Sequence, residues 1–198
     1  MRVPRVYVTH PPVAGASMTL DADAAHHVTT VLRLRAEDQV CLFHDGVECQ
    51  GFIETIGKRA VTVRLRECQP VSRESPLAIT LAQGISRGER MDYTIQKAVE
   101  LGVAAIAPII SERTTVKLDE TRAARRTDHW HNVIVNACEQ CGRNHLPALL
   151  PVMHLEDWLR QPREGTRLLL RGDAARPWSA IRPEARLTLL IGPEGGLA

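Results

Sequence analysis

A chain of 198 residues, 44% hydrophobic and 24% charged, holds one large domain or two small ones and can bury a sizeable core. Its formal net charge of +2 supplies no global field that announces a nucleic-acid partner, and no apolar run approaches the roughly 18 residues of a membrane span. Five cysteines, an odd number, without a signal peptide point to a reducing cytoplasm. Only Lys58, Lys97 and Lys117 are lysines; the rest of the 25 basic residues are arginine, whose planar fork suits phosphate.

Arg5–Thr9 reads as a first strand, closed by His10-Pro11-Pro12. Asp21 is placed to cap a short helix whose apolar positions Ala25, Val28 and Leu32 recur at helical spacing. Within Gln39–Ile53, Asp45-Gly46 separates two β-rich segments, a strong hairpin signal. Ala60–Glu67 then alternates, with Val61, Val63 and Leu65 on one face and Arg64 and Arg66 on the other. Short strands with one short helix predict a small β-barrel-like domain over residues 1–72. A polar, proline-flanked linker, Pro70–Pro76, follows it. Arg33, Arg35, Arg64 and Arg66 offer a patch that could track an RNA backbone, yet over residues 1–72 eight basic residues face eight acidic ones. His26 and His27 have no metal partner at a recognisable spacing and read as structural or surface residues.

After Pro76 the pattern becomes strand, helix, strand, helix. Leu77–Gln83 reads as a strand and Gly84–Arg90 as a charged loop; Met91, Ile95, Ala98, Val99 and Gly102 then fall on one helical stripe that Gly102 can end. Val103–Ile110 is the next strand, with Pro108 arguing for its end or for a sheet edge. A second helix carries Trp130, Val133, Ile134, Ala137, Cys138 and Cys141 on one face and stops at Gly142. Cys138 and Cys141 form a lone C-x-x-C with no second pair at zinc spacing, so they read as core or groove residues and no metal is expected. Leu168–Leu170 and Leu187–Ile191 supply two buried strands, each followed by glycine. Alternating strands and helices imply a mainly parallel sheet over residues 73–198. Gly192-Pro193-Glu194-Gly195-Gly196 ends the last strand: proline fixes one φ, and the glycines expose backbone groups where open α/β sheets bind ligands. By itself such a cluster could equally be a plain chain-reversing turn.

Five segments in register carry a resemblance. They are His27-x-x-x-Val31-Leu32-Arg33, Gln96–Val103, Ser111–Thr114, Ala137-Cys-Glu-Gln-Cys-Gly-Arg143 and Leu190–Gly196. Together they resemble the RsmE family, SPOUT-class methyltransferases that modify N3 of a uridine in small-subunit ribosomal RNA, over nearly the whole chain. The resemblance implies a PUA-like, RNA-binding β-barrel at 1–72 and a SPOUT α/β domain at 73–198 that dimerises and holds S-adenosylmethionine in a trefoil knot. In the family a helix and a further segment follow the glycine loop and build much of the knot. This sequence stops at Ala198, so the reading expects a truncated domain without a closed knot or a complete cofactor site.

Within that resemblance, methyl transfer from a sulfonium needs in-line approach of a nucleophile whose proton has been managed. Arg143, just past a helix end, is the candidate that holds a phosphate or a uracil carbonyl. Glu139, one turn earlier, would accept the proton or orient Arg143; the bland alternative is a surface i,i+4 ion pair. Leu169, Leu170 and Gly172 would line one wall of the cofactor pocket. Leu190, Ile191, Gly192, Pro193, Gly195 and Gly196 would line another, with Glu194 either touching the cofactor or capping a following helix. Arg33, Arg35, Arg87, Arg90, Arg113 and Lys117 are candidate RNA contacts. Two other classes compete. A nucleotide-dependent phosphotransferase lacks G-x-x-x-x-G-K-[ST] and any lysine beyond Lys117. A non-catalytic RNA-binding protein, or an inactive fragment of such an enzyme, would use the barrel and arginines alone.

Overall fold

A computed structural model describes residues 3–57, 60–114, 120–171, 177–182, 184–194 and 196–197, with the side chains of Glu120 and Trp178 left aside. The chain divides into two compact units. The first is Met1–Glu74 together with Cys138–Leu146, and the second is Ser75–Ala137 with Pro147–Ala198.

In the first unit, β1 (Arg5–Tyr7), β2 (Ser17–Thr19), β3 (Gln39–His44), β4 (Val47–Ile56) and β5 (Val61–Pro70) form one mixed sheet in the order β1-β3-β4-β5-β2. The Asp45-Gly46 hairpin forms as expected, because both residues take positive φ (38° and 83°), as the tightest two-residue turn requires. Val61, Val63 and Leu65 enter a core with Val6, Val40, Leu42 and Ile53. Each fully buried valine or leucine there contributes about 1.5–3 kcal/mol. Asp21 caps α1 (Ala22–His26) by accepting from the Ala24 N–H at 2.9 Å. The helix then widens into a π-helical turn, His27–Val31, where the Leu32 N–H reaches back to the His27 carbonyl at 2.9 Å. That extra residue keeps Val28 in the core and Ala25 and Leu32 at its margin. Strand β2 has no alternating apolar signal, since only Met18 packs on the core. Cys49 and Cys68 oppose each other across β4 and β5 and form a disulfide, a pairing that the cysteine count did not predict.

In the second unit, β6 (Ala78–Gly84), β7 (Ala105–Ile110), β8 (Ala148–Leu149), β10 (Thr166–Leu170) and β11 (Arg186–Ile191) lie in the order β10-β11-β6-β7-β8. Strand β9 (Met153–His154) also pairs with β7, and every pairing is parallel. Helix α2 (Glu89–Glu100) buries Met91, Ile95 and Val99, and Gly102 (φ 89°) ends it. Helix α3 (Glu120–Cys141) buries Trp130, Ile134, Ala137 and Cys138. Helix α4 (Leu155–Arg160), which the sequence pattern did not reveal, buries Trp158 against Ala82, Ala107, Ile109 and Leu190.

Two expectations change. Pro108 lies inside the sheet, paired with Gln83, in a strand flanked on both sides. Ala104 and Ile106 accept from the β8 side, whereas Ile109 accepts from Ile85, so residue 108 faces the β8–β9 side. Pairing there stops at Ile106 and resumes at Ile109, and the missing proline N–H falls in that gap. Strand β10, expected to be buried, is a sheet edge, with Leu169 46% and Leu170 43% exposed.

Candidate functional site

Strands β11 and β6 run parallel and in register from Arg186↔Ala78 to Ile191↔Gln83, so their carboxyl ends lie side by side. The Gly192–Gly196 loop leaves β11 there. Gly84, the last residue of β6, has no positive φ, so only space demands glycine at that position. A Cβ on Gly84 would fall on the ring of Pro193 and 2.9 Å from the Gly192 carbonyl carbon. The neighbouring Gln83 side chain, 5% exposed, donates to the Gly84 carbonyl at 2.9 Å and to the Gly192 carbonyl at 3.4 Å. The loop closes on itself through the Gly196 N–H and the Pro193 carbonyl at 2.8 Å.

Glu194 accepts from the Arg87 backbone N–H at 3.4 Å and from Arg90 at 3.1 Å. Its own backbone N–H, then Arg90 and the Arg87 N–H, hold its carboxyl below the usual carboxylate range. Beside the loop, Leu169 and Leu190 line a cavity of about 430 Å³ with Leu168, Thr188, Leu197 and Trp158. Leu170 and Ile191, the last residues of their strands, do not line it, while Gly172 and Gly195 lie outside the described residues.

Glu139 and Arg143 belong to the first unit. The Arg143 guanidinium, 7% exposed, donates to both oxygens of Glu74. Glu139, 9% exposed, accepts from the Tyr7 N–H at 3.0 Å and faces His27 Nε2 at 3.4 Å. Burial pushes the Glu139 carboxyl up to about 7, and burial likewise lowers His27, so both groups favour their neutral forms. Around them, Arg5 donates to the Arg143 carbonyl and Asn144, and Arg73 donates to the Gly142 carbonyl at 3.0 Å. Glu48 joins these two arginines. Burial raises its carboxyl, but hydrogen bonds from Arg73 and Arg5 outweigh that and leave it below the ordinary range. Cys138 is buried and pushed up to about 12, an inert thiol, and Cys141 is half-buried; neither is bonded to another cysteine.

Of the candidate RNA contacts, Arg33 and Arg35 sit exposed in the first unit, Arg33 in the left-handed region (φ 54°). Arg87, Arg90 and Arg113 are exposed in the second unit, and Lys117 lies outside the described residues. Among the described residues no three His, Cys, Asp or Glu side chains gather as metal ligands would. No described helix is long and apolar enough to cross a membrane. Sequence reasoning missed Gln83, Gly84, Tyr7, His27 and Glu74 as site partners. Each acts through a contact distant in sequence, which no local pattern signals.

Comparison with known proteins gives this geometry a family. Residues 73–198 match an RNA methyltransferase domain and residues 20–66 an RNA methyltransferase PUA domain. The ribosomal RNA small subunit methyltransferase E of Buchnera aphidicola (from Schizaphis graminum) is 29% identical over 201 residues, spanning 100% of this chain and 81% of the relative. That of Bacillus subtilis is 26% identical, spanning 91% and 75%. A Legionella pneumophila structure, described as a putative methyltransferase with bound cofactor SAM, superposes with a TM-score of 0.96 at 40% identity. It spans 100% of this chain and 83% of the other. A Neisseria gonorrhoeae ribosomal RNA small subunit methyltransferase E bound to S-adenosyl methionine gives 0.93 at 38%, spanning 100% and 82%. The chain thus belongs to the RsmE family of SPOUT-class RNA methyltransferases, with a PUA domain ahead of the methyltransferase domain.

Proposed function

We propose that the protein transfers a methyl group from S-adenosylmethionine to N3 of a uridine in small-subunit ribosomal RNA. In this reading the full-length protein works as a cytoplasmic homodimer whose methyltransferase domain carries the family's trefoil knot. One observation supports the donor site above others: the Gly192–Gly196 loop at the carboxyl ends of two parallel strands, next to an apolar cavity bounded by Leu169 and Leu190. The leucines would take the adenine face, and the loop's backbone groups would take the polar edge and ribose. Two relatives bound to this donor add weight. When bound, the donor supplies an electrophilic sulfonium methyl.

What the chain supplies is position. Exposed Arg87 and Arg113 in the second unit, with Arg33 and Arg35 in the first, would hold RNA phosphates, a contact that weakens steeply with salt, whereas Arg90 is paired with Glu194. Arg143 and Glu139 act as positioning groups rather than as substrate ligands. The guanidinium of one is engaged by Glu74, and the carboxyl of the other holds the Tyr7 N–H beside His27. The test is incubation with the donor and small-subunit RNA or particles, followed by digestion and mass spectrometry of the nucleosides. N3-methyluridine is the expected product. Another methylated base would overturn the uridine assignment. RNA binding without any methyl transfer would favour the non-catalytic reading.

A further inference from the structure

We propose that Gln83 and Gly84, at the end of β6, are positioning residues for the methyl-donor loop, and that Glu194 latches that loop to the start of α2 instead of touching the donor. The inference rests on the reading of Gly192–Gly196 as the donor loop. Three contacts carry it. Gly84 takes a backbone that alanine could also take, so what excludes a side chain is the Gly192–Pro193 backbone and the proline ring occupying the place of a Cβ. Gln83 is buried, and its amide ties the β6 end to the Gly192 carbonyl, a strand neighbour 109 residues away. Glu194 spends its carboxylate on the Arg87 N–H, just ahead of α2, and on Arg90, in its first turn.

These contacts lie behind and beside the loop, and they fix the direction in which its backbone amides and carbonyls point. A loop shaped before the ligand arrives saves the ordering cost that binding would otherwise carry. Removing a contact should therefore weaken donor binding selectively, leaving RNA affinity and the chemical step at saturating donor nearly unchanged. A purely structural role would instead lower melting temperature, RNA affinity and donor affinity together.

The test measures donor Kd by calorimetry, KM for donor and for RNA, kcat and Tm, all on the full-length protein. Gln83→Leu keeps the volume and removes the donor amide; donor Kd and KM should rise roughly tenfold, the scale of one lost buried hydrogen bond, with KM for RNA unchanged. Gly84→Ala should raise them at least as much. Should that variant fold poorly, Gln83→Leu still decides the matter. Glu194→Ala and Arg90→Ala should weaken donor binding to a similar degree, and the double variant should be little worse than either. A large loss for Glu194→Ala with none for Arg90→Ala would mean that Glu194 contacts the donor directly, and would overturn the latch. Unchanged donor KM in Gln83→Leu and in well-folded Gly84→Ala would overturn the positioning role. Failure of the unsubstituted protein to bind the donor would instead overturn the donor reading itself.

Discussion

Replacing Glu139 with glutamine tests the buried anchor under the loop that follows α3. Burial holds the Glu139 carboxyl at about 7, against an ordinary value of 4.5, despite the opposing Tyr7 N–H and Arg5. The folded protein therefore keeps a proton that the unfolded chain releases between those two values. Over that window the unfolded state binds fewer protons, so stability falls as pH rises, and outside it this group contributes no slope. At about 1.4 kcal/mol per pH unit, the loss is on the order of 3 kcal/mol. A glutamine side chain still accepts from the Tyr7 N–H and does not ionise. His27, lowered by burial and by neighbouring His26, gives the opposite slope: its contribution is present above 6.5 and is lost as pH falls. Urea unfolding should give similar stabilities near pH 4.5 and a growing advantage for Glu139→Gln, reaching about 3 kcal/mol by pH 8. A difference that stays constant with pH, or a Glu139 carboxyl that titrates near 4.5 by carbon NMR, would refute the argument.

Gly46→Ala should destabilise the protein by about 1–3 kcal/mol in urea unfolding. It places a Cβ at positive φ and 2.6 Å from His145 Nε2. Asp21→Ala should cost about 1 kcal/mol through the lost helix cap, and Asp21→Ser should recover most of it. Arg143→Ala leaves the Glu74 carboxylate without that partner; a fall of about 1–3 kcal/mol in stability is expected, with donor affinity nearly unchanged in calorimetry. An Arg143 variant with normal stability and lost RNA affinity would restore the substrate-contact role to that residue.

Local chemistry made much of the fold legible. The Asp45-Gly46 turn, the Asp21 cap, the alternation of Val61, Val63 and Leu65 and the stripe of Met91, Ile95 and Val99 each act within a few residues, so the sequence displays them. Strand β2 and helix α4 are too short to show a period, and β10 reads as buried because its leucines do not reveal that the strand lies at an edge. Pro108 misled for a related reason: its tolerance depends on a gap between two partner strands that only the assembled sheet contains. At the site, the glycine loop announced itself. Its supports did not, because Gln83 meets Gly192 across 109 residues, Glu139 meets Tyr7 across 132 and Arg143 meets Glu74 across 69.

Titration of S-adenosylmethionine into the full-length protein by calorimetry tests the central claim most directly. The account predicts saturable binding at one donor per chain, weakened by Leu190→Ala and by substitution of Gly192, whose Cβ would stand 3.1 Å from the Gly196 backbone. An absence of donor binding in a folded protein that still binds small-subunit RNA would contradict it.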